Sequence, residues 1–208
     1  MIKLFFFPGA CCMSCHIALE EAHIPFELQY VGNHADENIR QQFLQLNPLG
    51  AVPVLQLENG QVITQNIAIL EYIADQKPSA GLLDKPGSYE RADILRWLSF
   101  VAADLHKAFS PVFAIKRISD NPSVQHDIKK WAITLIDKYL MQVEQHLQNK
   151  TYLCAERFTA ADAYLFTVYR WSKAINLPTE KYTALNRYAD HIKKRPSVIA
   201  VLEREAKY

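Results

Sequence analysis

The stretch that decides the fold is residues 4–16, LFFFPGACCMSCH. Its four apolar residues predict a short buried strand that ends at about Phe7, because proline removes a ladder donor and glycine permits the turn out of the sheet. A helical pattern follows and places Cys11 and Cys12 at the N-terminus of a helix. Unpaired backbone N–H groups and the helix dipole stabilise a thiolate at that position, so we expect a reactive cysteine.

Two overlapping cysteine spacings in this stretch imply different chemistry. Cys12 and Cys15 form a Cys-x-x-Cys pair, which is typical of a dithiol redox site or of half a metal site. Cys11 and Ser14 form a monothiol version of the same spacing. No second Cys-x-x-Cys exists and Cys154 stands alone, so we expect no metal. Cys15 is expected to be a small buried core residue. A dithiol oxidoreductase that uses Cys12 and Cys15 is the competing hypothesis.

The composition is that of a globular protein with one large or two small domains. The 208 residues are 50% hydrophobic and 22% charged, and 23 basic against 22 acidic residues give a formal net charge of +1. Because the charge is balanced and spread along the chain, we expect neither a nucleic-acid nor a membrane partner. The short apolar start does not have the pattern of a signal peptide, so we expect a cytoplasmic protein with reduced thiols.

The first part of the chain alternates strand and helix patterns. Asn59-Gly60 lies between two apolar runs, which is the strongest short signal for an antiparallel hairpin. Thr64, Gln65 and Asn66 offer cap residues, so a helix is predicted to begin near residue 65. The other patterns predict strands at 26–30, 54–57 and 62–63 and a helix at 35–46. The predicted order of elements is βαβ followed by αββα.

Proline and glycine cluster between residues 76 and 87, which predicts a linker. We therefore expect one domain at 1–80, a linker at 81–87 and a second domain at 88–208. The second domain shows only helical patterns. In one of its helices, Ile128, Trp131, Leu135 and Tyr139 recur at i, i+3, i+7 and i+11, a stripe through which such a helix usually packs against another.

Thr159 and Asp162 have the spacing of a helix cap. A threonine at the N-cap accepts a bond from a backbone N–H of the first turn. An acidic residue three positions later can return a bond to the backbone of the cap. We therefore interpret both residues as structural, not catalytic.

The order of elements, with a cysteine after the first strand and Val52-Pro53 before the third, resembles the thioredoxin-like domain of the glutathione transferases. With the helical domain included, the chain resembles a bacterial beta-class glutathione transferase over essentially its whole length. The segments that carry the resemblance are 8–11, 47–53, 97–98, 105–107 and 157–167. The implied fold class is α/β plus all-α, with a thioredoxin-like βαβ-ββα N-terminal domain followed by an all-helical C-terminal domain. The family fold implies a cis Val52-Pro53 bond, which is otherwise a minority state.

The resemblance implies an enzyme that conjugates or exchanges the glutathione thiolate with hydrophobic electrophiles. Glutathione is then a co-substrate, no further cofactor is needed, and the helical domain supplies most of the pocket for the electrophile. The resemblance further implies a homodimer, a role in detoxification, and thiol-disulfide or peroxidase activity through Cys11. The alternative is a non-catalytic member of this fold that binds a ligand or another protein.

The resemblance also assigns residues to the site. Cys11 and His106 are the catalytic candidates, and Cys11 is expected to hold glutathione as a mixed disulfide. The implied glutathione-binding residues are Cys11, Val52, Pro53, Gln65, Asn66, Ser99, Ala103, Asp104 and His106, some of them acting across the dimer. Ser99, Ala103 and His106 stand at i, i+4 and i+7, so we expect them on one face of a helix. The neighbouring Lys107 faces either ligand or solvent.

Three positions depart from the family pattern. Gln65 stands where the family usually has an acidic residue, and Ser99 stands where asparagine is common. The loop after the second predicted strand holds only His34 where a basic residue is expected. These departures predict weaker glutathione binding, and they are the best support for the non-catalytic alternative.

Overall fold

Four strands and eleven α-helices make up the fold in the computed structural model, which describes residues 1–208. The strands are β1 Ile2–Phe6, β2 Phe26–Tyr30, β3 Val54–Gln56 and β4 Val62–Thr64. The helices are α1 Met13–Glu21, α2 Glu37–Leu46, α3 Asn66–Gln76, α4 Tyr89–Phe100, α5 His106–Phe113, α6 Ile115–Ile118, α7 Pro122–His146, α8 Ala160–Tyr169, α9 Trp171–Ala174, α10 Thr183–Lys193 and α11 Pro196–Glu205. A 3₁₀ turn at Pro78–Ala80 and a π-helical segment at Val101–Leu105 complete the set. None of these helices combines the length and the apolar composition that crossing a membrane requires.

The four strands form one mixed sheet in the order β2-β1-β3-β4. β1 and β2 run parallel and are joined through α1, while β3 runs antiparallel to both β1 and β4. The β3-β4 turn contains Asn59-Gly60, and Gly60 adopts a φ of 85°, a left-handed conformation that glycine adopts without strain. The predicted hairpin and the predicted thioredoxin-like order of elements are confirmed.

Several predicted boundaries shift by one or two residues. β1 ends at Phe6, because the carbonyl of Phe7 accepts the backbone N–H of Ala10 and closes the turn. α1 begins at Met13, so Cys12 is its N-cap and Cys11 lies just ahead of the helix. α2 begins at Glu37, because the side chain of Asp36 accepts a bond from the first turn and caps it. The Val52-Pro53 bond is cis, as predicted.

The main core runs continuously from the sheet into the helical half of the chain. Leu4 and Leu55 of the sheet belong to the same buried cluster as Leu98 and Leu165 of the helices. α1 packs against α3 of its own half of the chain and against α8 and α11 of the helical half. The start of α1, where the candidate cysteine lies, is therefore enclosed by both halves.

The segment between α3 and α4 is attached to the helical half. The backbone N–H of Ala160 donates to the carbonyl of Leu82, and Arg157 donates to the carbonyl of Gly81 and to the carboxylate of Asp84. Leu82 itself is buried. α4 begins at Tyr89 with Ser88 as its N-cap. The division into 1–80, 81–87 and 88–208 stays a prediction.

α7 packs through a face one residue away from the predicted one. Trp131 is 58% exposed, and the residues that α7 buries are Ala132, Ile136, Leu140, Val143 and Glu144. One residue along a helix is a rotation of about 100°, so the predicted stripe lies beside the core. Tyr139 still packs edge to face on Phe100, with ring centroids 5.7 Å apart. Trp131 of the predicted stripe is thus exposed, whereas Leu135 and Tyr139 are partly buried against the main core. The fully buried face of α7 is the one that α5 and α10 cover.

Asp162 is a fully buried carboxylate at the start of α8. Its Oδ2 accepts bonds from the backbone N–H and the hydroxyl of Thr159, both at 2.8 Å. Its Oδ1 accepts from the backbone N–H of Leu153 at 2.8 Å and from the hydroxyl of Tyr188 at 3.0 Å. Burial raises the pKa of this carboxyl to about 6, although the bonds from Leu153, Thr159 and Tyr188 act to lower it. Asp162 thus joins the α8 cap to the loop before it and to α10.

Candidate active site

A cleft of about 400 Å³ lies between the sheet end of the molecule and the helical half. Its lining residues are Cys11, Asn47, Leu49, Ala51, Val52, Pro53, Gln65, Asn66, Ile67, Ala102, His106, Lys107 and Tyr164. Six of the predicted site residues therefore meet in one cavity, and they come from four separate parts of the chain. The other three, Ser99, Ala103 and Asp104, do not line it.

Cys11 lies on the wall of this cleft and is half-buried. Its Sγ donates to the backbone carbonyl of Val52 at 3.2 Å. Burial raises the pKa of the Cys11 thiol to about 11, and this effect outweighs the backbone N–H groups of Cys11 and Cys12 and the charge of Lys107, which lower it. The predicted thiolate at the helix N-terminus is therefore wrong, because the raised pKa keeps Cys11 protonated at neutral pH.

Cys12 and Cys15 point away from the cleft and are fully buried. The Sγ of Cys12 donates to the carbonyl of Phe7 at 3.2 Å, and that of Cys15 donates to Oδ1 of Asn66 at 2.9 Å. Burial raises the pKa of both thiols. The prediction that Cys15 is a core residue is confirmed, and the structure does not favour the dithiol hypothesis, because neither sulfur reaches solvent.

The loop that carries Cys11 is held by two residues of the helical half. The backbone N–H of Gly9 donates to Oε2 of Glu205, and Nε1 of Trp171 donates to the carbonyl of Gly9, both at 2.8 Å. Glu205 is buried, and its second oxygen lies 2.9 Å from Nδ1 of the buried His16. Gly9 has a φ of 72°, which glycine adopts without strain. Both polar groups of one residue, two positions before Cys11, are thus fixed from the other half of the chain.

His106 and Tyr164 form a polar pair on the opposite wall. Nδ1 of His106 lies 2.8 Å from the hydroxyl of Tyr164. Burial, with a contribution from Lys107, lowers the pKa of His106 to about 4, and burial raises the pKa of Tyr164. At neutral pH the imidazole is therefore uncharged, with one donor and one acceptor nitrogen, and the phenol keeps its proton. The ring of Trp171 packs edge to face on His106 at 4.7 Å.

Tyr164 is one of the cleft residues that the sequence did not assign to the site, and it is the one with an acidic hydroxyl; the others are Asn47, Leu49, Ala51, Ile67 and Ala102. It belongs to the 157–167 segment, but its position five residues after the Thr159 cap gives no signal of a role at the site. Only the packing of α8 against α1 brings its hydroxyl into the cleft. Lys107 also lines the cleft, in which it is the one lysine or arginine.

The π-helical segment changes which side chains reach the cleft. In this segment, between α4 and α5, the backbone hydrogen bonds span five residues instead of the four of an α-helix. The side chains that follow therefore point in other directions than they would on a continuous α-helix. Ala102 and His106 line the cleft, whereas Ser99, Ala103 and Asp104 are exposed outside it. Ser99 and Ala103 thus do not line the cleft of their own chain beside His106, and their role in glutathione binding stays a prediction.

The start of α3 presents free backbone donors to the cleft. The first bond of this helix runs from the N–H of Ile69 to the carbonyl of Gln65, so the N–H groups of the preceding turn have no helical acceptor. Gln65 is exposed, has a φ of 71° and makes no side-chain cap bond. Asn66 is buried, and its amide is engaged with Ser14 and Cys15 of α1. The side chain of Asn66 thus joins α1 to α3, and an anion would meet the backbone of the first turn.

Two family models match the chain. The glutathione S-transferase N-terminal domain matches residues 9–76, and the glutathione S-transferase C-terminal domain matches residues 100–196. The chain is 35% identical to glutathione S-transferase GstA of Escherichia coli O157:H7, over 98% of each chain. The two matches cover both halves of the fold in the order predicted from the sequence.

Solved structures give the same result. A sphingomonad glutathione S-transferase complexed with glutathione is 35% identical, with a TM-score of 0.88 over 99% of this chain and 100% of that one. The beta-class enzyme of Sphingomonas chungbukensis has the same identity, TM-score and coverage. The chain joins a thioredoxin-like half to a helical half, and its Cys11 faces the loop that holds the cis proline. This combination is that of a transferase that acts on thiols. The chain belongs to the glutathione S-transferase family, and the predicted resemblance to its beta class is confirmed.

Proposed function

We propose that this chain is a glutathione transferase that binds glutathione with its sulfur against Cys11 and delivers that sulfur to a hydrophobic electrophile. The observation that carries the proposal is the position of the Cys11 thiol, 3.2 Å from the Val52 carbonyl on the wall of the cleft. The glutathione complex of the sphingomonad relative supports the choice of ligand.

The cleft offers a partner for most parts of the tripeptide. The exposed backbone of Val52 pairs with the cysteinyl unit, as an added strand pairs with a sheet edge. The free N–H groups at the start of α3 receive the γ-glutamyl carboxylate. Lys107 supplies the positive charge of the cleft. Gln65 brings no carboxylate to the ammonium group of the ligand, so binding is weaker than it would be with an acidic residue there.

The order of acidities assigns the reactive sulfur to the ligand. A free thiol ionises near pKa 8.5, whereas burial raises the pKa of Cys11 to about 11. Glutathione therefore loses its proton first, to solvent. The Cys11 S–H then turns from the Val52 carbonyl and donates its hydrogen bond to the resulting thiolate, which leaves that carbonyl free for the cysteinyl unit. Lys107 adds a cation, and His106, fixed through Tyr164, adds a neutral donor. The thiolate then forms a carbon–sulfur bond, and the leaving group departs with its electron pair.

Thiol-disulfide exchange at Cys11 is the slower reaction in this proposal. The Cys11 thiolate attacks a sulfur of oxidised glutathione, forms the mixed disulfide and releases one glutathione thiolate. With a pKa of about 11, only roughly one chain in 10⁴ carries the thiolate at pH 7. Conjugation, which leaves the Cys11 proton in place, is therefore the reaction that the raised pKa of Cys11 favours.

An aromatic cluster beside His106 supports a hydrophobic co-substrate. Trp171 packs edge to face on His106, Phe109 and Phe113. Phe113 is 51% exposed, so the cluster presents an apolar surface that no part of this chain covers. We place the electrophile against this surface, next to the glutathione sulfur.

A homodimer is the assembly we propose. Ser99, Ala103 and Asp104 are exposed and lie outside the cleft of their own chain, which is what a role across a subunit interface requires. Light scattering of the purified protein tests this assembly. A monomer at micromolar concentration would contradict the homodimer and the role of Ser99, Ala103 and Asp104 in the glutathione site of a second subunit.

The first experiment is thermal unfolding of the reduced protein with glutathione and with S-methylglutathione. Saturation to a hundred times the dissociation constant adds about 2.7 kcal/mol, which corresponds to a shift of roughly 5 to 10 °C for a chain of this size. Cys11→Ala is expected to lose the mixed disulfide with oxidised glutathione, and Cys154→Ala serves as the matched control, because that thiol is buried elsewhere. If neither glutathione nor S-methylglutathione raises the unfolding temperature, the proposed glutathione site is rejected.

A second assay separates the enzyme from the non-catalytic alternative. Transfer is followed with 1-chloro-2,4-dinitrobenzene and glutathione, comparing the natural chain with His106→Gln. Saturable glutathione binding without any transfer to this or other aromatic electrophiles would favour the binding-module hypothesis. Transfer that falls in His106→Gln while glutathione still shifts the unfolding temperature is the result expected for the enzyme.

A further inference from the structure

Two exposed leucines lie at one end of the active-site cleft. Leu49 lines the cleft and is 79% exposed. Leu44 of α2 is 42% exposed and packs beside Gly50, where an added Cβ atom would lie 3.3 Å from its Cδ2. Leu44 and Leu49 therefore stand on either side of Gly50 as an apolar surface, here called the leucine rim. An exposed apolar surface at the edge of a polar cleft is typical of a contact with a ligand.

The loop that carries Leu49 is hydrogen-bonded within itself. Nδ2 of Asn47 donates to the carbonyl of Ala51 at 2.7 Å, and Oδ1 of Asn47 accepts the backbone N–H of Leu49 at 3.3 Å. The carbonyl of Asn47 accepts the N–H of Gly50 at 2.9 Å. The N–H groups of Leu49 and Gly50 are thus not available to a carboxylate of a ligand. What this loop presents at its tip is the side chain of Leu49.

The proposed position of glutathione brings its glycine end to the leucine rim. The γ-glutamyl carboxylate lies at the start of α3, and the cysteinyl unit pairs with the backbone of Val52. On this side of the cleft the remaining lining residues belong to 47–51, the segment that precedes Val52. Lys107 lies on the helical wall, where its charge acts on the thiol of Cys11. An extended tripeptide therefore places its C-terminal glycine along residues 47–51.

The cations of the chain are poorly placed for a carboxylate at that end. Lys107 is the one lysine or arginine in the cleft lining, and it faces the sulfur. Arg40, one turn before Leu44 on α2, and His34 are exposed and lie outside the lining. A carboxylate placed against the leucine rim would lose water without gaining a partner. An uncharged end would instead bury apolar surface there.

We propose that the thiol co-substrate of this chain is a γ-glutamylcysteinyl peptide with a neutral, apolar C-terminal end, an ester or an amide in place of the free glycine carboxylate, and that Leu49 selects it. The inference rests on the proposed glutathione site and specifies the form of the thiol that this site prefers. The γ-glutamyl end, the sulfur and its reaction stay as described above.

Calorimetric titration of the reduced chain with glutathione and with its glycine monoethyl ester tests the proposal. The two ligands share the thiol and the γ-glutamyl end and differ only at the glycine carboxyl. The ester is expected to bind at least about fourfold more tightly, which is the gain from burying one CH₂ group of its ethyl chain.

A variant at the leucine rim is expected to change this preference. Leu49→Lys places a cation beside the glycine end, so glutathione is expected to bind roughly two- to fivefold more tightly. The ester, which loses its apolar contact, is expected to bind about fourfold more weakly. The ratio of the two affinities therefore changes by roughly tenfold. Because Leu49 is exposed, the variant is expected to fold.

Two further variants serve as controls. Ile199→Lys adds the same charge at an exposed apolar position of α11, outside the cleft lining, and is expected to leave the affinity ratio unchanged. Arg40→Met removes the exposed cation of α2 and is also expected to leave the ratio unchanged.

Three results would overturn the inference and leave the proposed glutathione site standing. They are glutathione binding as tightly as the ester or more tightly, an unchanged affinity ratio in Leu49→Lys, and a loss of glutathione affinity alone in Arg40→Met. The last result would assign the glycine carboxylate to Arg40. If neither glutathione nor the ester binds, the proposed glutathione site is rejected together with this inference.

Discussion

Replacing Asp162 with alanine is expected to destabilise the folded chain by about 4 kcal/mol. The carboxylate is fully buried and accepts four bonds, two of them from the backbone N–H groups of Leu153 and Thr159. A helix cap contributes about 1 kcal/mol, and each buried N–H left without an acceptor costs about 1 to 3 kcal/mol. The side chain of alanine offers no acceptor, so these costs are incurred together.

The assay is thermal unfolding of Asp162→Ala and of the natural chain at pH 7. A loss of about 4 kcal/mol corresponds to a fall of roughly 8 to 16 °C in the midpoint. Asp127→Ala is the matched control, because Asp127 is an exposed acid on α7 and is expected to change stability by less than about 0.5 kcal/mol. A loss below about 1 kcal/mol for Asp162→Ala would refute the reasoning.

The same residue carries a pH dependence with a defined sign. Burial raises the folded-state pKa of Asp162 to about 6, above the unfolded value near 4. The folded chain therefore holds this proton more tightly, and the corresponding stability is present below about pH 4 and lost as pH rises through 6. The loss is about 3 kcal/mol between these two pH values. The difference in stability between the natural chain and Asp162→Asn should show this dependence, and a constant difference would contradict it.

Three other predictions concern the active site. Alkylation of Cys11 by iodoacetamide is expected to rise about tenfold per pH unit from pH 7 to 10, because burial raises its pKa to about 11; a plateau near pH 8, measured against Cys11→Ser, would disprove this. Burial lowers the pKa of His106 to about 4, so this residue should not titrate near pH 6.5. The pH profiles of kcat/KM for the natural chain and for His106→Gln should therefore have the same shape around pH 6.5. Glu205→Ala is expected to cost about 3 kcal/mol in unfolding experiments, because the N–H of Gly9 and the ring of His16 lose their acceptor; unchanged stability would show that the loop is held by Trp171 alone.

Local chemistry made much of the fold predictable. Asn59-Gly60 specifies its hairpin through the backbone freedom of two neighbouring residues, without help from distant parts of the chain. Thr159 and Asp162 likewise meet because three residues separate them. Such features depend on short sequence distances, which the sequence shows directly.

Features that depend on packing between distant segments were not predictable. The position of Cys11 at the start of α1 argued for a thiolate, but burial under the helical half raises its pKa instead. A π-helical segment interrupts the helix that carries Ser99, Ala103 and His106, and no residue in 101–105 signals it. Trp131 is exposed because neighbouring helices select another face of α7. For Cys11 and for Trp131, the deciding contacts come from elements that the local sequence does not show.

The attachment of Gly9 to Trp171 and Glu205 has a consequence for chimeric enzymes. A graft that joins the first half of this chain to the helical half of a relative keeps the sheet, the cysteine and the proline loop. It places Cys11 correctly only if the incoming half offers an indole N–H and a carboxylate at the two positions that grip Gly9. Recombination between relatives is therefore constrained by Trp171 and Glu205, which are far along the chain from the point where the two halves would be joined.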